Sequence, residues 1–443
     1  MRAVPVPAAP TPGATDPDRP RIALALSGGG FRASLFHLGV LRRLAEGGLL
    51  ASVDVLSTVS GGSIIGAYAA LRWQKVLAAG GDWPALERHI VTPFTDLITT
   101  KNFLLSWVGT LPRSFVKHTG RAAFSRTAVA ADLYDQWFFH GATLDELPAS
   151  PRLVINATSL PSIRAWRFTH DGMGDSRYGY AQWKRQTRRP PPVSLAVGAS
   201  AAFPPVFTPV RIRLDEYAFS PPPYGPRPDV TSEMPLSDGG VYDNLGLEVL
   251  TRKEPLPAGT TLSPPQILVV SDAGHPATYK FTASRLPIIG ALRLMGRVRD
   301  ISREQVAALR RRGLVHDFER HVDGTTGILV TMKSDIENLH LADRTAYAAA
   351  VGTASLIPPV LLPMIQTIRT SLDRFSKTEV EALLYHAYTM TDAFWWAYLA
   401  PTPRPAPNPS WKLTFDEERI RAWARALAHS SKRFRLRREP RSV

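Results

Sequence analysis

The stretch Ser27-Gly28-Gly29-Gly30-Phe31-Arg32 closes an apolar run and opens an amphipathic one. A glycine-rich turn ahead of a helix leaves backbone N–H groups free to hold a phosphate, a dinucleotide or an oxyanion. A phosphate loop requires Gly, four residues, then Gly-Lys-Ser/Thr, but Phe31 and Arg32 follow Gly30 directly. A dinucleotide fingerprint starting at Gly28 would put Ala33 at its third glycine position. Its acidic ribose ligand should close the next strand, whereas Asp54 opens that strand. The dinucleotide pattern is thus a poor fit, and the next strand bears on whether the loop holds an oxyanion during acyl transfer instead.

A nucleophile is available in the next apolar run, VDVLSTVSGGSIIGAYAAL, where Ser60 stands at a strand-to-helix junction before Gly61 and Gly62. This is the pattern of a nucleophile elbow, a sharp turn that exposes a serine hydroxyl at the top of a sheet. The small residues beside it admit an ester carbonyl, and the helix N-terminus favours developing negative charge. Thr58 departs from the G-x-S-x-G pattern, and a Ser-Gly-Gly helix cap is the bland alternative.

A third cluster, PLSDGGVYDNLGLEVL, places Asp238 before Gly239 and Gly240. The order of glycine loop, strand-turn serine and Asp-Gly-Gly resembles the patatin-like phospholipases. SGGGFRASLFHLGVLRRL is similar to the oxyanion motif of that family, SGGS (Ser60 to Ser63) to its serine elbow, and AVGASAAFPPVFTPV (Ala196 to Val210) to the segment preceding its aspartate. The resemblance covers roughly residues 21 to 275. It implies a Ser60–Asp238 dyad, in which the aspartate takes the serine proton directly and an acyl-enzyme is then hydrolysed. It further implies an oxyanion hole at Gly28, Gly29 and Gly30, with Arg32 and Gly61 contacting substrate and Arg32 adding positive charge or pairing with a lipid phosphate. Neither cofactor nor metal is implied, and no H-E-x-x-H pattern occurs.

Other residues compete for these roles. His275, in DAGH, would complete a Ser-His-Asp triad in hydrolase order, although a loop histidine is the plainer reading. His37 reads as structural, Asp272 as a structural or supporting acid, Asp243 as a helix cap, and Ser57 and Ser63 as bystanders.

The elements that must position this chemistry alternate. Strand-like runs lie at Ile22–Ser27, Val53–Val59, Leu153–Ala157, Ile267–Ser271 and Gly327–Met332, and helical patterns at Phe31–Glu46, Gly62–Leu71 and Asn244–Thr251. Continuous apolar strands separated by helices predict an α/β fold, a three-layer α/β/α sandwich with a mainly parallel sheet. Beyond Asp335 helical patterns dominate, clearest at Lys377–Leu399 and Phe415–Arg438. The expected organisation is a Pro/Ala-rich tail over 1–20, an acyl hydrolase domain over 21–335 and a helical extension over 336–443 with a basic end. SPPPYGPRPDV (Ser220 to Val230) reads as a surface loop and TPRPAPNPS (Thr402 to Ser410) as a linker.

Composition narrows the class. The chain has 443 residues, 44% hydrophobic and 21% charged, as a globular protein does. With no cysteine, thiol nucleophiles, disulfides and Cys-ligated zinc are excluded. No apolar leader is visible in the opening residues, which suggests a cytoplasmic protein, peripheral on a membrane at most. The least charged stretch, Ala346 to Ile368, is interrupted by Pro358, Pro359 and Pro363 and reads poorly as a span. A net charge of +15 favours anionic partners, here an acyl-ester lipid substrate and transient contact with an anionic membrane surface. SRLPIIGALRLMGRVR (Ser284 to Arg299) and the tail SKRFRLRREPR are the basic amphipathic segments able to make that contact. The first reads equally as a core-facing helix and the second as a solvated end. TKNFLLSWVGTLPRSF (Thr100 to Phe115), Trp395 and Trp396 read as core, the first also as a lid. The alternatives are a catalytically weak lipid-binding or scaffolding protein on the same fold and a nucleic-acid binder, for which no stacking motif is present.

Overall fold

The computed structural model describes residues 20–118, 125–230, 232–252, 254–274, 287–401 and 403–431. His275, the N-terminal tail, residues 275–286 and the basic C-terminal end therefore lie outside the described residues.

Among the described residues ten strands form one sheet: β1 (Ile22–Leu26), β2 (Val53–Val59), β3 (Arg152–Ser159), β4 (Arg164–Thr169), β5 (Gly172–Asp175), β6 (Gly179–Gln182), β7 (Val210–Arg213), β8 (Glu233–Asp238), β9 (Ile267–Asp272) and β10 (Thr326–Thr331). Strands β10, β9, β1, β2 and β3 run parallel in that order. An antiparallel wing of β4, β5 and β6 continues from β3, and β8 with β7 joins β3 beyond the end of β2. All five expected strands are the parallel ones. The short strands of the wing, several with glycine, carry no long apolar run that would announce them.

The helices used below are α1 (Gly30–Glu46), α2 (Gly61–Ala70), α3 (Phe103–His118), α4 (Arg126–Tyr134), α5 (Val193–Ser200), α6 (Pro287–Glu319), α7 (Lys377–Tyr398) and α8 (Glu417–Leu427). Side chains of β1 alternate between the two layers that cover the sheet, as the two-residue period of a strand requires. Ile22, Leu24 and Leu26 join the core shared with α1, α2 and α7, while Ala23 and Ala25 meet Leu245, Val249, Leu250 and Leu314 on the opposite face. A fully apolar strand is therefore buried twice, and the three-layer arrangement follows.

Helix α7 lies against α1, and residues of both belong to one apolar core. It begins with a capping box, Ser376 with Glu379, which satisfies two otherwise orphaned N–H groups. The helix expected at Asn244–Thr251 is present only as Glu248–Thr251, after a separate short turn at Gly240–Asp243. Gly246 between them adopts φ 69°, which breaks the helical path. Helix α8 runs to Leu427 with its start capped by Asp416, and residues 432–438 of the expected helix lie outside the described residues. Segment 220–230 is irregular as expected. Among the described residues no helix is long and apolar enough to cross a membrane.

Candidate active site

Strand β2 runs parallel to β3 and ends where Val59 pairs Asn156. Strand β8 runs antiparallel along the same edge and ends where Asp238 pairs Ala157. The two strands thus approach each other head-on, and their C-terminal residues meet one step apart on β3. Residues 178 positions apart in sequence are placed face to face by pairing alone.

At this junction Ser60 adopts φ 51° and ψ −117°, a conformation that costs a non-glycine residue of order 1–3 kcal/mol and persists only where the surroundings impose it. Those surroundings are visible. The Ser60 N–H donates to Ser200 Oγ at 2.9 Å, and Ser200 donates to the Asn156 carbonyl at 2.6 Å. Ser63 Oγ lies 3.0 Å from Thr58 Oγ1 and 2.9 Å from Ser200 Oγ. Thr58 also bonds the Val154 carbonyl. A Cβ on Gly66 would come within 2.5 Å of the Thr58 methyl. Glycine at 66 thus makes room for threonine where the elbow pattern has its first glycine. Ser63 and Ser57 are therefore braces: Ser57 donates to the Gly246 carbonyl and accepts from Asn156.

Asp238 is buried and accepts a hydrogen bond from the Gly240 N–H at 2.7 Å. The Ser60 hydroxyl is near enough to the same carboxyl to influence its protonation. Its backbone is fixed by Asp238 N–H to Ala202 carbonyl and by Thr158 Oγ1 to its own carbonyl. Burial pushes the Asp238 pKa up to about 6, opposed by the nearby Ser60 hydroxyl, the Gly240 hydrogen bond and the charge of Arg303. A carboxyl poised there is ionised at neutral pH yet basic enough to accept a proton.

The glycine loop crosses above. Gly29 and Gly30 have φ 148° and 59°, values that L-residues with a side chain rarely adopt. Among the described residues their N–H groups have no hydrogen-bond partner. Gly28 differs: its N–H donates to the Asn244 carbonyl at 3.1 Å, so it is not an open donor. That corrects the expectation of three equivalent donors. Gly61, after the nucleophile, opens α2, and its carbonyl accepts from Ser34 of α1 at 2.7 Å.

Arg32 does not line the opening. It is fully buried and donates to the Ala273 carbonyl at 2.6 Å and to the Ile368 carbonyl at 2.9 Å. Burial draws its pKa down to about 9, with the Asp272 charge opposing. Its guanidinium therefore braces the loop from beneath, and the expected contact with a lipid phosphate has no route. His37 is buried between Ser271 Oγ and the Ser27 carbonyl, its pKa lowered to about 4 by burial. Asp272 pairs Arg311 at 2.7 Å and accepts from the Gly274 N–H. Asp243 accepts from the Leu245 and Glu248 N–H groups and pairs Arg310.

Residues 24–251 match the sequence pattern of the family described as patatin-like phospholipase. The chain belongs to the patatin-like phospholipase family. Solved structures similar to it include human GIVD cytosolic phospholipase A2, at 13% identity over 86% of this chain and 60% of that chain, TM-score 0.48. The same human protein in complex with methyl gamma-linolenyl fluorophosphonate and terbium chloride is similar at 14% identity over 94% and 61%, TM-score 0.48. VipD from Legionella pneumophila is similar at 12% identity over 84% and 66%, TM-score 0.32. This patatin-like chain spans about 60% of the length of the human structures it matches. No curated protein matches it.

Three residues of the site escape sequence reasoning. Ser200 was visible only as part of a small-residue helix. The Asn244 side chain wedges between loops: a Cβ on Gly28 would lie 2.6 Å from its Oδ1 and 3.1 Å from Ser60 Cβ. Tyr134, at the end of α4, is buried with its hydroxyl lacking a hydrogen-bond partner, and its pKa is raised by burial and by the Asp238 charge. Nothing in the spacing of Tyr134 signals this, because α4 reaches the site only through tertiary packing. Among the described residues no group of three His, Asp or Glu could hold a metal ion.

Proposed function

We propose that this chain is a serine acyl hydrolase that cleaves fatty-acyl esters of phospholipids or related lipids. The observation that carries the reading is the meeting of Ser60, on a strained turn after β2, with a buried Asp238 at the end of β8, whose pKa is raised to about 6. The Ser60 oxygen attacks the ester carbonyl as Asp238 takes its proton. The tetrahedral oxyanion is held by the N–H groups of Gly29, Gly30 and Gly61. Collapse releases the lysolipid alcohol, which regains the proton from Asp238, and leaves Ser60 acylated. Water, deprotonated by Asp238, then frees the fatty acid and restores the serine. Each oxyanion donor of this kind is worth about 2.7–4 kcal/mol. Arg32 contributes positive charge below the loop and keeps it in place.

The substrate resides in a bilayer, and α6 supplies a contact surface. Leu294, Met295, Val298, Ile301 and Leu309 are exposed along one side of this 33-residue helix, with exposed Arg293 and Arg312 beside them. Within Ser284–Arg299 the exposure of Leu294, Met295 and Val298 favours the surface reading over the core-facing one. Such a face docks on anionic interfaces by apolar burial plus charge. Helix α3 buries Phe103 and Trp107, with Leu105 and Val108 exposed.

The test is hydrolysis of a medium-chain p-nitrophenyl ester and of phosphatidylcholine vesicles by wild type, Ser60→Ala and Asp238→Asn. Wild type should turn over both, and both variants should lose about 10²–10⁴-fold or more with folding retained by circular dichroism. Activity surviving Asp238→Asn alone would remove the aspartate as base. An inactive wild type that still binds vesicles would favour the lipid-binding alternative.

A further inference from the structure

A cavity of about 150 Å³ lies along α6. One wall is the chain from Gly240 to Leu245, directly after Asp238; the other is the inner side of α6, with Arg299, Arg303 and Arg310; Phe203 closes it. A space of that size holds several water-sized groups.

The three arginines are differently engaged. Arg310 pairs Asp243 at 2.6 Å, and that carboxylate is also committed to two backbone N–H groups. Arg299 reaches Asp300 and the Pro204 carbonyl and stacks over Phe203, but its Nε is buried without a hydrogen-bond partner. Arg303 lies 6.0 Å from the Phe203 ring centroid, and no carboxylate lies within ion-pair distance of it among the described residues. The cavity therefore carries excess positive charge, presented by guanidiniums that form paired hydrogen bonds with phosphate oxygens. Its reach extends to the reacting groups: the Arg303 charge opposes the raised pKa of Asp238 and lowers that of Arg32.

We propose that Arg303, assisted by Arg299, forms the subsite for the phosphodiester of a phospholipid substrate. This role was expected of Arg32, which is sealed under the loop by two carbonyls. The two helix faces then act together, the outer one on the bilayer and the inner one on a headgroup lifted toward Ser60. The assignment rests on the acyl hydrolase reading above.

The experiment compares wild type, Arg303→Gln and Arg303→Lys at about pH 8, where Asp238 is ionised in all three. Substrates are phosphatidylcholine and a diacylglycerol of the same chains, both in detergent micelles. Arg303→Gln should lower the phospholipid-to-diacylglycerol ratio of kcat/KM at least about tenfold, and Arg303→Lys should recover part of it. Glycerophosphocholine should inhibit diacylglycerol hydrolysis in wild type and much less in Arg303→Gln. An unchanged ratio overturns the proposal. Equal inhibition by inorganic phosphate with an unchanged ratio would mark a free-anion site, which also overturns it. If wild type hydrolyses neither lipid, the acyl hydrolase reading fails separately. Calorimetric binding of glycerophosphocholine then decides the subsite: loss in Arg303→Gln supports it, and no binding to wild type overturns it.

Discussion

Ser60 and Asp238 occupy their positions under restraint: the serine holds a left-handed φ of 51°, and the aspartate is an acid removed from water. The pKa of Asp238 near 6, against an ordinary 3.8, means that the fold prefers its neutral form. Stability drawn from this group is full below about pH 3.8 and is lost as pH rises through about 6. In the proposed mechanism catalysis runs in the opposite sense, because only the carboxylate could accept the serine proton. The kcat/KM should rise about tenfold per pH unit below about pH 6 and level off above it. A stopped-flow or pH-stat profile already flat at about pH 5 would remove Asp238 as the base. That Ser60, Asp238 and the loop glycines lie together was legible, because the roles proposed for them each demand particular residue types. The engagement of Gly28 by Asn244 and the burial of Arg32 were not. Both depend on contacts with residues about 216 to 336 positions away, which no local pattern encodes.

At the scale of elements, the five parallel strands were legible from their continuous apolar runs, since burial on both faces leaves no polar period. The antiparallel strands were not, although one of them, β8, ends at Asp238, the base proposed above. Only the pairing of β8 against β3 explains why Asp238 faces Ser60. Helix α6 shows a similar limit. Its apolar and basic residues are plain in the sequence, but period alone does not say which face meets solvent. With Leu294 and Met295 56% and 69% exposed, Leu294→Asp with Met295→Asp should weaken binding to anionic vesicles at least about tenfold in a flotation assay. It should also lower the ratio of vesicle to monomeric-ester hydrolysis. Unaltered flotation would separate α6 from membrane contact.

Across the whole molecule, the C-terminal helical region is tied to the glycine loop. Arg32 bonds the Ile368 carbonyl, and a Cβ on Gly30 would strike the Thr370 carbonyl. The neighbouring Arg369 is buried between Asp373 and Glu379 and donates to the Arg374 carbonyl, while its N–H bonds Ser430. One buried cation thus joins the loop's support, the start of α7 and the residues after α8. Arg369→Met should strand two buried carboxylates and cost about 3–5 kcal/mol in chemical denaturation, with activity lost in parallel. A variant with wild-type stability would show that the cluster is not structural. The sequence indicated helices after Asp335, but their grip on the site is a property of tertiary packing.

The most direct measurement is intact-protein and peptide mass spectrometry after exposure to a long-chain alkyl fluorophosphonate. Wild type should gain one phosphonyl group on the peptide containing Ser60. Ser60→Ala should gain none, and Asp238→Asn should label at least about a hundredfold more slowly. Labelling at another serine, or equal labelling of Ser60→Ala, would contradict Ser60 as the nucleophile and with it the central claim.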